Sequence, residues 1–405
     1  AIRSTSSRRR RGSGRGRRCD VANEGRDEQE ANVRRNLILD TDSYKASHWL
    51  QYPPDVTGMF SYLESRGGLY PQTVFFGLQY LLKAHLSQRV TSDDVEEAAT
   101  FFKAHGEPFN REGWDRIVRM CYLPVRIRAV PEGTVVPNRN VLLTVESTDS
   151  ETFWVVSWIE TQLVRLWYPI TVATRSMYCK RTILRHLIRS ADDPFAEIDF
   201  KLHDFGSRGV SSAETAGIGG MAHLVNFKGS DTIEGVRFAN HYYGVEGGMA
   251  AFSIPAAEHS TITAWGRNRE IDAYRNMVTR FARPGALVAC VSDSYDLYRT
   301  VENVWGGALR DEVERSGATV VIRPDSGHPP TVVREVLRIL ARKVGCAKNK
   351  KGYNVLPKYY RIIQGDGIND ESIDEILACI EDDGFSASNV AFGMGGGLLQ
   401  QLDRD

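Results

Sequence analysis

Four polar loops in the second half of the chain carry residue types suited to a ligand with phosphates and hydroxyls. Each follows a short β-branched run. Leu287 to Val291 leads into Ser292-Asp293-Ser294-Tyr295-Asp296, and Thr319 to Ile322 into Arg323-Pro324-Asp325-Ser326-Gly327. Tyr360 to Ile363 leads into Gln364-Gly365-Asp366-Gly367, and Val390 to Phe392 into Gly393-Met394-Gly395-Gly396-Gly397. Carboxylates such as Asp293, Asp325 and Asp366 accept from ribose hydroxyls or hold a divalent cation through oxygen, Arg323 forks onto phosphate, and glycines let backbone N–H groups approach it. Any one of these is weak, because an aspartate after a strand is often only a turn residue or a helix cap. Their coincidence in one stretch is what points to a site.

The elements between these loops explain how they meet. Leu297, Val301, Val304 and Trp305, and again Ile373, Ile376, Leu377 and Ile380, recur at helical spacing. Strands alternating with helices predict a parallel α/β sheet or barrel, whose strand C-termini all lie at one end, so the four loops should converge. The earlier part of the chain is mixed. Thr73 to Leu86 and Ser92 to His105 read as helices, the second capped by Ser92 with Asp93 and Asp94 in its first turn. Val125, Ile127 and Ala129 alternate with other residues, and Val141 to Val145 is a second β-rich run, giving a small antiparallel sheet with turns at Pro131-Glu132-Gly133 and Pro137-Asn138. Glu151 to Trp167 reads as an apolar helix. The expected fold class is α/β: a disordered tail over 1–35, a mixed α+β domain over 36–190 and an α/β barrel catalytic domain over 191–405.

Composition narrows the function classes. The 405 residues are 42% hydrophobic and 25% charged, ordinary values for a globular chain with large cores. Eight of the 51 basic residues fall in the first 18 positions, which hold no acid, so the rest of the chain carries an acidic excess. Six cysteines with no C-x-x-C pair argue against structural zinc and a disulfide framework, and fit a reducing cytoplasm. No apolar run approaches a membrane span. Gly217-Ile218-Gly219-Gly220 lacks dinucleotide-loop spacing and follows no strand, and no P-loop, nucleophile elbow or H-E-x-x-H helix occurs.

Longer motifs are more specific. Lys201-Leu202-His203-Asp204-Phe205-Gly206-Ser207-Arg208-Gly209, Ser253-Ile254-Pro255-Ala256-Ala257-Glu258-His259-Ser260-Thr261 and Thr41-Asp42-Ser43-Tyr44-Lys45, with the Arg323 and Gly365 loops, resemble the nicotinamide phosphoribosyltransferase family in order from about Asn36 to Asp405. The resemblance implies a type II phosphoribosyltransferase: a mixed α/β domain beside an α/β barrel, working as a homodimer with shared active sites. It implies condensation of nicotinamide with 5-phosphoribosyl 1-pyrophosphate to nicotinamide mononucleotide and pyrophosphate, with Mg²⁺, in cytoplasmic NAD salvage. ATP would be a coupled substrate, phosphorylating His259, with Glu258 orienting the imidazole or binding metal.

The other roles follow residue by residue from the same resemblance. Phe205 and the partner's Tyr44 would sandwich the pyridine, while Asp231 would accept from the carboxamide and repel a carboxylate. Arg208, His259 and Arg323 would bind pyrophosphate, with Lys201, His203, Asp42 and Lys45 as a second set and Ser253 among the substrate contacts. Asp325, Asp366 and Gly365 would hold the ribose, Asp293 and Asp325 would flank the metal, and Gly395, Gly396 and Arg404 would take the 5′-phosphate. The family continues past the position of Asp405 with further basic phosphate contacts, so this chain reads as a fragment, and Met394 replaces a small residue beside the phosphate loop. Two alternatives remain: a nicotinate phosphoribosyltransferase, opposed by Asp231, and a catalytically silent chain whose Arg-rich arm binds nucleic acid. The arm has no interleaved aromatics, so no specific nucleic acid is expected.

Overall fold

A computed structural model describes residues 35–402. The expected tail, apart from Arg35, and Arg404 lie outside the described residues. Six parallel strands form the main sheet: β1 (Leu202–Asp204), β2 (Gly229–Ser230), β3 (Leu287–Val291), β4 (Thr319–Arg323), β5 (Tyr360–Gln364) and β6 (Val390–Met394), in the spatial order β2-β1-β6-β5-β4-β3. The β-branched runs become strands because both faces are covered, as parallel sheets require.

The curled sheet is drawn round by one irregular segment. Phe252 bridges Gly229 on one edge and Ala256 bridges Ala289 on the other. Phe252 donates its N–H to Lys228 O at 2.8 Å, and Ala289 donates to Pro255 O at 2.9 Å. Residues 252–257 therefore span the gap between β2 and β3 and deliver His259 to the sheet's C-terminal end. The interior is lined by small and medium side chains, with Ala289, Val321 and Ile363 packing against Phe205, Ile254 and Ala391.

The helical spacing read around Ile373 is realised in the helix Asp370–Asp382, started by a reciprocal cap between Asn369 and Ser372, with Ile373, Ile376, Leu377 and Ile380 all buried. Leu297 to Ala308 winds partly as a wider π-type helix. Gly217 to Gly220 lies inside the helix Ala213–His223, not in a nucleotide loop; a methyl on Gly220 would stand 2.8 Å from Gly235 Cα of the helix Ile233–Tyr243, so these glycines permit a close helix crossing.

The N-terminal part contains the expected antiparallel sheet, with a third strand: Phe60–Glu64 and Val125–Ala129 flank Val141–Ser147. Trp114, Trp154 and Trp158 pack edge to face beneath it with centroids 5.2 to 5.7 Å apart. Three sequence expectations are corrected. Gln72–Val74 is a strand paired with Val135–Pro137, and helix begins only at Leu78, because Gly77 takes a positive φ of 104° and Glu132 accepts from the Gly77 and Gln79 N–H groups. The cap of Ser92–His105 is Thr91, in a reciprocal box with Asp94, and not Ser92. Glu151 to Trp167 breaks into Val155–Trp158 and Glu160–Val164, and the long element is the 24-residue helix Trp167–Ser190 that follows. That helix packs on Ala213–His223 and Asp370–Asp382, so one continuous hydrophobic core runs through both parts. Among the described residues no helix is long and apolar enough to cross a membrane, and the five described cysteines are free thiols.

Candidate active site

The C-terminal strand ends bring the loop residues together as the parallel topology requires. Asp293, just past β3, is the hub. Its Oδ1 lies 2.8 Å from His259 Nε2, and its Oδ2 accepts from Ser326 Oγ at 2.6 Å and from the Asp325 N–H at 3.1 Å. Burial opposes charge on Asp293, but the hydrogen bonds from Ser326 and His259 outweigh it and hold the carboxyl below its usual range. A carboxylate only accepts, so His259 donates through Nε2, and its Nδ1 lies 3.9 Å from Asp325 Oδ2. The imidazole stays about half exposed, on the first turn of the helix His259–Thr263. Glu258 caps that helix and accepts from Ser260 Oγ.

Arg323, at the end of β4, lies 3.6 Å from Asp325 Oδ2, while its buried Nε finds no acceptor among the described residues. Its Nη2 is turned toward Asp325 at the polar mouth, where a guanidinium suits a phosphate oxygen. Asp325 is raised above the ordinary carboxylate range by burial, against the pull of Arg323 and His259, and Asp293 and Asp366 add repulsion.

Phe205 stands beside this cluster: a Cβ built on Gly365 would lie 3.4 Å from its ring and 3.7 Å from Asp325 Oδ1. Phe205 follows β1 and donates its N–H to Met394 O at 2.9 Å, and its ring lies across the backbones of β6 and β5. A methyl on Gly393 would stand 1.9 Å from the ring, and one on Gly365 3.4 Å. Gly393 is thus the seat of the aromatic platform, a role the sequence reading did not assign. Asp231, just past β2, accepts from Ser253 Oγ and donates its N–H to Asp204 O at 2.9 Å. His203, on β1, has its ring 6.3 Å from that of Phe205; burial lowers its pKa, against the Asp231 charge. Gly395 and Gly396 open the short helix Gly396–Leu399 behind Phe205, and no atom lies within 4 Å of a Cβ built on Gly396. Met394 is fully buried and packs under that loop, its Cγ and Sδ 3.4 and 3.6 Å from a Cβ built on Gly397.

Other expected residues lie elsewhere. Lys201 precedes β1, so it belongs to the opposite end of the sheet. Its buried ammonium donates to the carbonyls of Ser388, Val390 and Ala387 at 3.0, 3.2 and 3.4 Å and pairs with Glu197. Lys45 is buried against Glu160 at 2.6 Å, and Asp42 accepts from Thr161 Oγ1. Tyr44 is 57% exposed, its contacts being His48 and Lys45. Arg208, by contrast, stays at the edge of the site, exposed in the turn Ser207–Gly209 three residues after Phe205, where a Cβ on Gly209 would lie 4.0 Å from Gly396 Cα. Ser326, absent from the expected set, is the residue the sequence reading missed at the hub; it sits inside a loop already singled out, and only its hydrogen bond to Asp293 gives it a role.

Comparison with known proteins bears on this arrangement. Residues 36–127 match the nicotinamide phosphoribosyltransferase N-terminal domain, and residues 200–405 the nicotinate phosphoribosyltransferase (NAPRTase) family. The chain is 58% identical over 372 residues to the nicotinamide phosphoribosyltransferase of Xanthomonas campestris pv. campestris, covering 91% of this chain and 79% of that one. The chain belongs to the type II phosphoribosyltransferase family. The family acts in NAD(P) salvage, and this member is a phosphoribosyltransferase-family enzyme. The Mycoplasma pneumoniae nicotinamide phosphoribosyltransferase is 30% identical over 423 residues, covering 93% of this chain and 88% of that one. Solved structures share the fold: nicotinate-nucleotide pyrophosphorylase from Pyrococcus furiosus at TM-score 0.57 and 15% identity, covering 92% of this chain and 75% of that one, and human nicotinic acid phosphoribosyltransferase at 0.54 and 18%, covering 88% and 72%.

Phosphoribosyl transfer in this family implies Mg²⁺. Among the described residues no group of three His, Cys, Asp or Glu side chains is arranged to hold a metal. Mg²⁺ takes one or two protein carboxylates and fills its shell with substrate phosphate and water. The residues fit that mode: Asp325 and Asp366 repel one another across the mouth, a repulsion a cation would relieve. Asp293, expected beside the metal, has both oxygens committed to His259, Ser326 and the Asp325 N–H.

Proposed function

We propose that this chain transfers the phosphoribosyl group of 5-phosphoribosyl 1-pyrophosphate to nicotinamide, releasing pyrophosphate, as a cytoplasmic homodimer. The observation that carries the choice of pyridine is Asp231, whose backbone is tied to β1 one residue before Phe205. A carboxylate there accepts from a carboxamide N–H₂ and opposes the carboxylate of nicotinate. Phe205 forms one wall of a pyridine slot, and the exposed Tyr44 of a second copy supplies the other. The pyridine nitrogen attacks ribose C1 as the C1–O bond to pyrophosphate breaks, and Arg323 and Arg208 hold the charge that develops on the leaving group. Asp325 and Asp366 would hold Mg²⁺, whose chemistry would be to neutralise charge on the leaving group. The exposed face of Asp366 and the Asp325 carboxylate suit the ribose hydroxyls, and the Gly395 and Gly396 backbone suits the 5′-phosphate.

The contact of Nε2 with Asp293 supports the second part of the proposal. With its proton on Nε2, His259 has the Nδ1 lone pair free to attack the γ-phosphorus of ATP, releasing ADP and leaving a phosphohistidine beside the pyrophosphate site. The test is mononucleotide formation from nicotinamide and phosphoribosyl pyrophosphate, with and without ATP. Product in both conditions with a higher yield in ATP is expected; no product in either refutes the transfer, and equal product refutes the coupling.

A further inference from the structure

Phe205 and Asp231, the aromatic wall of the proposed slot and its carboxylate, follow neighbouring strands, and one buried side chain sits where they join. Asp204 ends β1, has no solvent exposure, and is followed directly by Phe205. Its Oδ1 accepts from the Gly206 N–H at 2.7 Å, an Asx-type turn that closes around Phe205. Its main-chain oxygen accepts from the Asp231 N–H at 2.9 Å. One residue therefore fixes both the backbone under the aromatic wall and the backbone that carries the carboxylate wall. The surroundings are shaped to admit it: a methyl on Gly220 would come within 3.4 Å of Asp204 Oδ2, and one on Gly206 would meet Leu399 at 2.5 Å. A carboxyl buried among helices is costly for packing alone, where an apolar side chain would serve better.

We infer that Asp204 is a positioning residue for the pyridine slot, acting on the substrate through Phe205 and Asp231 without touching it. The inference rests on the proposed nicotinamide reaction. Burial pushes the Asp204 carboxyl up to about 6, the Gly206 N–H pulling it down and the Asp231 charge raising it. The titratable groups that face it are Asp231 past β2 and Tyr168 of the helix Trp167–Ser190, with His203 preceding it on β1. The Gly206 N–H is held best by the ionised carboxylate, so the slot is expected to loosen as pH falls through about 6.

The test varies nicotinamide and phosphoribosyl pyrophosphate separately in steady-state assays of the full chain. Asp204→Ala is expected to raise the nicotinamide KM roughly tenfold or more, the effect of losing one charge-assisted hydrogen bond, with the phosphoribosyl pyrophosphate KM within about twofold of wild type. Asp204→Asn keeps an acceptor for Gly206. It should recover most of that loss and flatten the wild-type decline of kcat/KM for nicotinamide below about pH 6. Equal rises in both KM values, or an unchanged pH profile in Asp204→Asn, overturn the inference. Should Asp204→Ala fail to fold, the pH profile of the Asn variant decides alone. A wild type that turns over only nicotinate would refute the proposed substrate, and the same KM comparison made on nicotinate would still judge Asp204.

Discussion

The two ends of the parallel sheet both hold cations, and they use them in opposite ways. At the N-terminal end, Lys201 is sealed in, its ammonium surrounded by three carbonyls and Glu197, while the half-buried Arg361 turns Nη1 to the carbonyls of Tyr360, Pro357 and Leu356. Burial lowers the pKa of both. At the C-terminal end, Arg323 Nη2 faces Asp325 at 3.6 Å, beyond hydrogen-bond reach, and His259 is about half exposed with one ring nitrogen held by Asp293. A charge whose hydrogen bonds are already filled by its own chain has nothing left for a ligand. Exposure at an open strand end, and not charge as such, marks the site.

The contrast can be broken from either side. The largest effect is expected from Arg323→Ala, which should lower kcat/KM by about 10²- to 10³-fold, the usual cost of removing a transition-state donor. Its melting temperature should stay near wild type; a large thermal loss would mean that Arg323 is structural like Lys201. His259→Ala should abolish ATP hydrolysis while leaving ATP-independent synthesis, and an unchanged ATPase would exclude it as the phosphate acceptor. Asp231→Asn is expected to narrow the preference for nicotinamide over nicotinate by roughly tenfold, one wrongly placed charge being worth about that much; an unchanged ratio would place the discrimination elsewhere. The smallest effect on catalysis is expected at the floor. Lys201→Met leaves carbonyls unsatisfied, at a cost of about 1–3 kcal/mol in unfolding free energy by denaturant titration, with both KM values unchanged. A rise in the phosphoribosyl pyrophosphate KM would restore Lys201 to the site.

Much of this was legible from residue order. The runs at Leu287, Thr319, Tyr360 and Val390 are strands because they are apolar on both faces, and parallel topology alone was enough to bring Asp293, Asp325 and the glycine loop to one end. The position of Lys201 was legible too, since a residue before a strand belongs to the far end from one after it, but likeness of motif outweighed that geometry. What could not be read was non-local. Residues 252–257 carry Pro255 and do not look like a strand, yet they span the two sheet edges through backbone bridges. Gly77 reverses the chain inside what reads as a helix, because its cap partner Glu132 lies 55 residues away. Gly393 and Ser326 sit in loops that were singled out, but their roles depend on a ring and a carboxylate brought in by other strands.

The most direct test of the central claim is a competition in one vessel: equimolar nicotinamide and nicotinate, limiting phosphoribosyl pyrophosphate, and mass-resolved detection of the two mononucleotides. A carboxylate at Asp231 beside the Phe205 platform predicts nicotinamide mononucleotide as the dominant product. Equal amounts of the two, or an excess of the acid mononucleotide, would contradict it.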